Sequence, residues 1–133
     1  MSAILRVSGI YNALRPVIEK SKYPFKEAIQ SRKERERSPE NNEFVSTFNL
    51  TISEADGGMV PLQIREAQEY IIKNTYLFRS LKTSNVEMNL TIDFMWDFPT
   101  SKVAQFNTFE KLFIALCHEN SIEIEVSVYA CSD

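Results

Sequence analysis

The side chains best placed to do chemistry in this chain are acids spaced at even intervals. Glu87, Asp93 and Asp97 fall in one phase of an alternating segment, and Glu123 and Glu125 in one phase of another. Residues opposite one another on adjacent strands lie ~5 Å apart, so these carboxylates could work as an acid/base pair, hold a cation or attract a basic partner. An acid/base pair needs a concave, partly dry site that drives two pKa values apart. A strand with one polar phase instead presents a flat, wet face. A hard cation needs several oxygen ligands on a shaped loop, and no Asp-x-Asp-x-Asp-Gly pattern occurs. The plain alternative is a solvated face whose charges keep the sheet from aggregating. Attraction of a basic partner is the functional reading that asks least of the geometry.

Other constellations carry less. His118, the sole histidine, follows Cys117 near the end of a helical segment. Neighbours on a helix point about 100° apart, so the two do not face each other as base and nucleophile. Cys117 lies four residues after Phe113 and is expected beside the core, with His118 exposed. There is no CxxC, G-x-S-x-G or HExxH pattern, and three glycines, two of them adjacent, cannot form a phosphate-cradling loop. Open sheets that bind RNA stack bases on strand aromatics within a basic surround. Here the polar phases offer only Tyr129, and carboxylates repel phosphates. The run Arg32-Lys33-Glu34-Arg35-Glu36-Arg37 is the one basic footprint, diluted by its own glutamates.

The elements that must position these acids follow from hydrophobic period. Strict alternation marks a strand with one buried face. It holds for Phe44, Phe48, Leu50 and Ile52 in 43–53, for Val86, Met88, Leu90, Ile92, Phe94 and Trp96 in 86–96, and for Ile122, Ile124, Val126 and Val128 in 122–129. Residues 3–8 read as a first strand. A helix over 11–20 is expected to bury Ala13, Leu14, Val17 and Ile18, with Pro16 tolerated near its first turn. Asp56-Gly57-Gly58 is a turn, and Pro61 opens the longest helix, 61–82, with Ile64, Ala67, Ile71, Phe78 and Leu81 on its stripe. Each such side chain contributes about 1.5–3 kcal/mol on burial, before the conformational entropy that opposes it. Asn107 and Glu110 have the spacing of a capping box for a last helix, 108–119, with Phe109, Leu112, Phe113 and Leu116 inward. Phe98, Val103 and Phe106 in the loop 97–107 are expected at the core edge, or else as anchors for a partner beside the acidic face. Residues 21–42 read either as a charged helix, with Arg32–Glu36 and Glu34–Arg37 pairs, or as a charged loop. The expected architecture is α/β (α+β): a two-layer sandwich whose four-stranded mixed sheet has helices on one face and an exposed acidic face on the other.

The chain has 133 residues, 44% hydrophobic and 25% charged, which fits a single domain with an ordinary core. Residues 1–37 hold nine Lys/Arg against four Asp/Glu, and residues 38–133 hold six against fourteen. The acidic body suits a basic protein better than nucleic acid. Two cysteines, Cys117 and Cys131, make no disulfide framework. The apolar run Ala3–Val7 is too short for a signal sequence, and nothing approaches the ~20 apolar residues of a spanning helix. A cytoplasmic protein without cofactor, metal or membrane partner is expected, either monomer or weak dimer.

With Glu87, Asp93 and Asp97 on one strand and Glu123 and Glu125 on the last, the chain resembles small bacterial immunity proteins of polymorphic and contact-dependent toxin systems. The resemblance is one of type and covers the whole chain without a diagnostic motif. It implies a non-catalytic inhibitor that neutralises a basic toxin domain, with Glu87, Asp93, Asp97, Glu123, Glu125 and Tyr129 as the partner-binding set. A small metal-dependent hydrolase using the sheet carboxylates, or a homo-oligomeric scaffold, would use the same residues differently.

Overall fold

A computed structural model describes residues 3–37, 43–96 and 107–130, with backbone alone at 95, 96, 129 and 130. The order is β1 (Ala3–Ile10), α1 (Tyr11–Ser21), β2 (Lys26–Glu27), α2 (Ile29–Arg37), β3 (Val45–Ser53), α3 (Val60–Lys73), α4 (Thr75–Thr83), β4 (Glu87–Trp96), α5 (Lys111–Glu119) and β5 (Ile122–Ala130). The fold is α+β with a mixed sheet, as the patterning implies, but the sheet has five strands in the order β2-β3-β1-β4-β5. All neighbours are antiparallel except β4 and β5, which run parallel through the α5 crossover.

The extra strand, β2, is a two-residue edge whose Lys26 and Glu27 pair with Asn49 and Phe48 of β3. It is too short to show a period, so the sequence carried no signal for it. Pairing continues past it: the Ala28 amide donates to the Thr47 carbonyl at 2.9 Å, and the Thr47 amide donates to Ser31 Oγ at 2.8 Å. Within 21–42, residues 29–37 are thus helical and begin by closing a sheet edge. The Glu34–Arg37 pair forms at 3.5 Å, and Arg35 reaches back to Glu27 at 3.2 Å. Positions 38–42 lie outside the described residues.

One face of the sheet is buried under the helices. Leu5, Val7, Phe48, Leu50, Ile52, Met88, Leu90 and Ile92 meet Leu14 and Ile18 of α1, Ile64, Ala67 and Ile71 of α3, Leu77, Phe78 and Leu81 of α4, and Phe113 and Cys117 of α5. Four helical expectations change. The 61–82 helix breaks at Asn74 (φ −117°, ψ 37°), whose side chain donates to the Tyr70 carbonyl at 2.8 Å and accepts the Tyr23 hydroxyl at 2.5 Å. A short amide side chain that bonds backbone competes with the helix it sits in. The last helix starts at Lys111; its N-cap, Glu110, makes no side-chain cap bond and accepts Gln68 Nε2 at 2.9 Å instead of closing a capping box with Asn107. In α1, Tyr11 is buried where Ala13 is exposed, and Pro16 stands in the second turn. Leu112, expected inward, is 53% exposed.

Candidate functional site: the open sheet face

The second face of the sheet carries the other phase of every strand. Pair register lays it out in rows: Lys26, Asn49, Arg6, Asn89 and Glu123; then Thr51, Ile4, Thr91 and Glu125; then Thr47, Ser8 and Glu87; then Asp93 beside Ser127. Glu87, Asp93, Glu123 and Glu125 therefore share one face at its β4/β5 end, with Arg6 on the adjoining central strand β1 and Lys26 at the opposite edge. Glu87, Glu123 and Glu125 are exposed and Asp93 is half-buried. Asp97 and the side chain of Tyr129 lie outside the described residues, as do Phe98, Val103, Phe106 and Cys131.

The face is wet but it is cross-linked rather than bare. Arg6 donates to Thr91 Oγ1 at 2.9 Å and stands 3.5 Å from a Glu125 oxygen. Thr91 lies beneath this bridge, 4% exposed although it belongs to the polar phase, and donates onward to Asn89 Oδ1 at 3.2 Å. Ser127 Oγ donates to Asp93 Oδ1 at 3.0 Å, and the Ser8 and Thr47 hydroxyls meet at 2.9 Å. Arg6 ties β1 to β5 across β4. Sequence reasoning missed it, although its place between Leu5 and Val7 in the polar phase of the first strand was visible.

Gln63 was also missed, and it fixes the position of Asp93. Its side chain, 0% exposed, accepts the Asp93 amide at 3.2 Å and donates to the Asp93 carbonyl at 2.8 Å and the Asp56 carbonyl at 2.6 Å. Register pairing of β1 to β4 reaches only Ile4–Thr91 among the described residues. Beyond it the Gln63 carboxamide does what a neighbouring peptide group would do, satisfying backbone that burial would otherwise leave costly.

The remaining chemistry-bearing groups sit elsewhere. Two hollows, of about 350 and 210 Å³, open on the helical side, the first around Val17, Lys20, Tyr23 and Tyr76, the second around Arg15, Glu19, Glu27 and Arg35; none of the four sheet acids lines either. Among the described residues no group of three or more His, Cys, Asp or Glu is arranged to hold a metal ion, and no helix is long and apolar enough to cross a membrane. Cys117 is buried and His118 exposed, so the pair does not meet. Burial pushes the Cys117 thiol up from an ordinary 9.0 to about 12, and burial likewise raises the Tyr70 phenol.

These raised values set an alkaline limit. The unfolded chain releases the Cys117 proton near pH 9 while the folded chain keeps it until about 12. Stability from this group is therefore complete below about pH 9 and declines as pH rises toward 12. The urea midpoint is expected to fall across that window, and to fall less in Cys117→Ala than in the parent chain. At pH 8 the native thiol is expected to resist iodoacetamide, which peptide mass mapping would read. Rapid alkylation of Cys117 in the folded chain would contradict the assignment.

Comparison of the chain with protein-family models, with curated proteins and with solved structures gave no match.

Proposed function

We propose that this chain is a non-catalytic binding protein that captures a basic protein partner on its β4/β5 acids, and that the partner is a toxin domain which it neutralises as an immunity protein does. The observation that carries the reading is the gathering of Glu87, Asp93, Glu123 and Glu125 at one end of an open sheet face. Of the described cations in its rows, Lys26 lies at the far edge and Arg6 stands against Glu125, so four acids face one cation at that end. This excess of negative charge produces a directed field, which raises encounter rates and orients the incoming partner. Tight neutralisation also needs a standard-size interface, about 1,600 Å² in total, with a few desolvated anchors that set dissociation.

The test is kinetic. The chain would be expressed with the toxin-type domain encoded in the neighbouring reading frame, and association followed by stopped flow. Glu123→Lys with Glu125→Lys is expected to slow association about tenfold or more at low ionic strength, and much less near 1 M salt, where the Debye length is ~3 Å. An unchanged association rate at low salt would overturn the reading, as would a neighbouring frame that encodes no such domain.

A further inference from the structure

The two edges of the sheet are finished in different ways. At the β2 edge the strand is two residues long, and α2 closes the adjoining backbone through the Ala28 amide and the Ser31 hydroxyl. At the other edge β5 is nine residues long, Ile-Glu-Ile-Glu-Val-Ser-Val-Tyr-Ala, paired with β4 without a register break from Met88–Ile122 to Trp96–Ala130. Its outer side pairs with no strand among the described residues. A long, regular edge is a template for another chain, and proteins blunt such edges with Pro, Lys, bulges or brevity. β5 has no Pro, Lys or register break, and its guards are the charges of Glu123 and Glu125, which oppose a second copy but not a basic strand.

The side chains along the edge specify what would fit. One phase presents Glu123, Glu125 and Ser127 to the open face. The other presents Val126, 39% exposed, and Val128, 61% exposed, on the helical side. An antiparallel second copy would bring two sets of Glu123 and Glu125 onto one face, and opposed like charges weaken cross-strand pairing. A strand alternating basic and apolar residues complements both phases.

We infer that the outer edge of β5 receives an extended segment of the partner as a sixth strand. Lys or Arg side chains of that segment lie beside Glu123 and Glu125, and its alternate apolar side chains lie beside Val126 and Val128. Main-chain hydrogen bonds then supply affinity, and the two alternating phases supply specificity. The inference rests on the reading above that the partner is basic, and adds the manner of its capture.

The probe is a capped octapeptide of four Lys-Val repeats, added to the full chain and followed by amide nitrogen–proton shifts and hydrogen exchange. Controls are a Glu-Val octapeptide and a Lys-Val octapeptide methylated at its four central backbone nitrogens. The unmodified peptide is expected to protect β5 amides. Backbone methylation should weaken binding at least tenfold with every charge kept, and Glu123→Lys with Glu125→Lys should weaken it similarly. If the methylated peptide binds equally well but the charge reversal still abolishes binding, strand addition falls and the acidic-surface reading stands. If the basic partner is captured while the Lys-Val peptide leaves β5 unprotected, strand addition likewise falls alone. If charge reversal affects neither partner nor peptide, both readings fall. A concentration-dependent dimer in sedimentation, with β5 amides protected in the absence of peptide, gives the edge to a second copy and overturns the inference.

Discussion

Gln63→Leu is expected to destabilise the chain by about 3–5 kcal/mol. The substitution nearly conserves volume but removes the partners of the Asp93 amide and carbonyl and of the Asp56 carbonyl. A buried polar group left without a partner costs about 1–3 kcal/mol, and three are affected at a side chain with no exposure. The urea midpoint should drop with little change in slope if the native state is still compact. Because the lost bonds hold β4 at Asp93, protection of the Asp93 amide against hydrogen exchange should fall more than that of Leu90, which retains its pairing to Leu5. Gln63→Glu separates shape from donation: it keeps an acceptor for the Asp93 amide but loses the amide donor that two carbonyls share. A loss under about 1 kcal/mol in Gln63→Leu would mean that the carboxamide is a bystander and that Asp93 is held by the sheet itself.

Phe113→Ala is the second large effect, with an expected cost of about 3–5 kcal/mol from lost burial and the cavity left behind. Phe113 is fully buried in α5. Its ring stacks on Phe109 at 5.8 Å, and Phe109 leans on Phe94 of β4 at 6.2 Å. This aromatic series fastens the crossover that carries β5 to its parallel place beside β4. The variant should lose exchange protection in β5 before the β1–β3 ladder, and capture of a basic partner should weaken with it. Equal loss across all strands would indicate that α5 and β5 unfold only with the whole molecule. Leu112→Ala on the same helix serves as control, since its side chain is 53% exposed. It should cost well under 1 kcal/mol.

Much of this arrangement was legible before any coordinates. Alternation with period two is a property of the strand backbone itself, because successive side chains point to opposite faces whatever lies beside them. For this reason Glu87 and Asp93 had to oppose Met88, Leu90 and Ile92, and Glu123 and Glu125 had to oppose Ile122 and Ile124. The helical stripe of Ile64, Ala67 and Ile71 followed from local geometry in the same way.

The finer features depended on partners far away in sequence. Asn74 interrupts a helix that the hydrophobic stripe alone would continue, and it does so while accepting a hydroxyl from Tyr23, 51 residues distant. Asn107 and Glu110 have capping-box spacing, yet Glu110 takes its bond from Gln68, 42 residues away. Leu112 lies on the apolar stripe of α5, but the helix turns Phe113 and Cys117 to the core and leaves Leu112 outside. Neither spacing nor propensity reports which distant group will arrive.

What the sequence by itself determined, then, is the face each strand residue occupies, since that depends only on the pleat. It was the tertiary structure that decided which strands are neighbours. By setting β5 parallel to β4 it brought the two acidic strands together, and by setting β1 beside β4 it brought Arg6 within reach of Glu125, 119 positions along the chain. The same strand order closed one edge with α2 and left β5 outermost. Pairing of this kind is chosen by burial and backbone hydrogen bonding summed over the whole sheet, so no single segment encodes it.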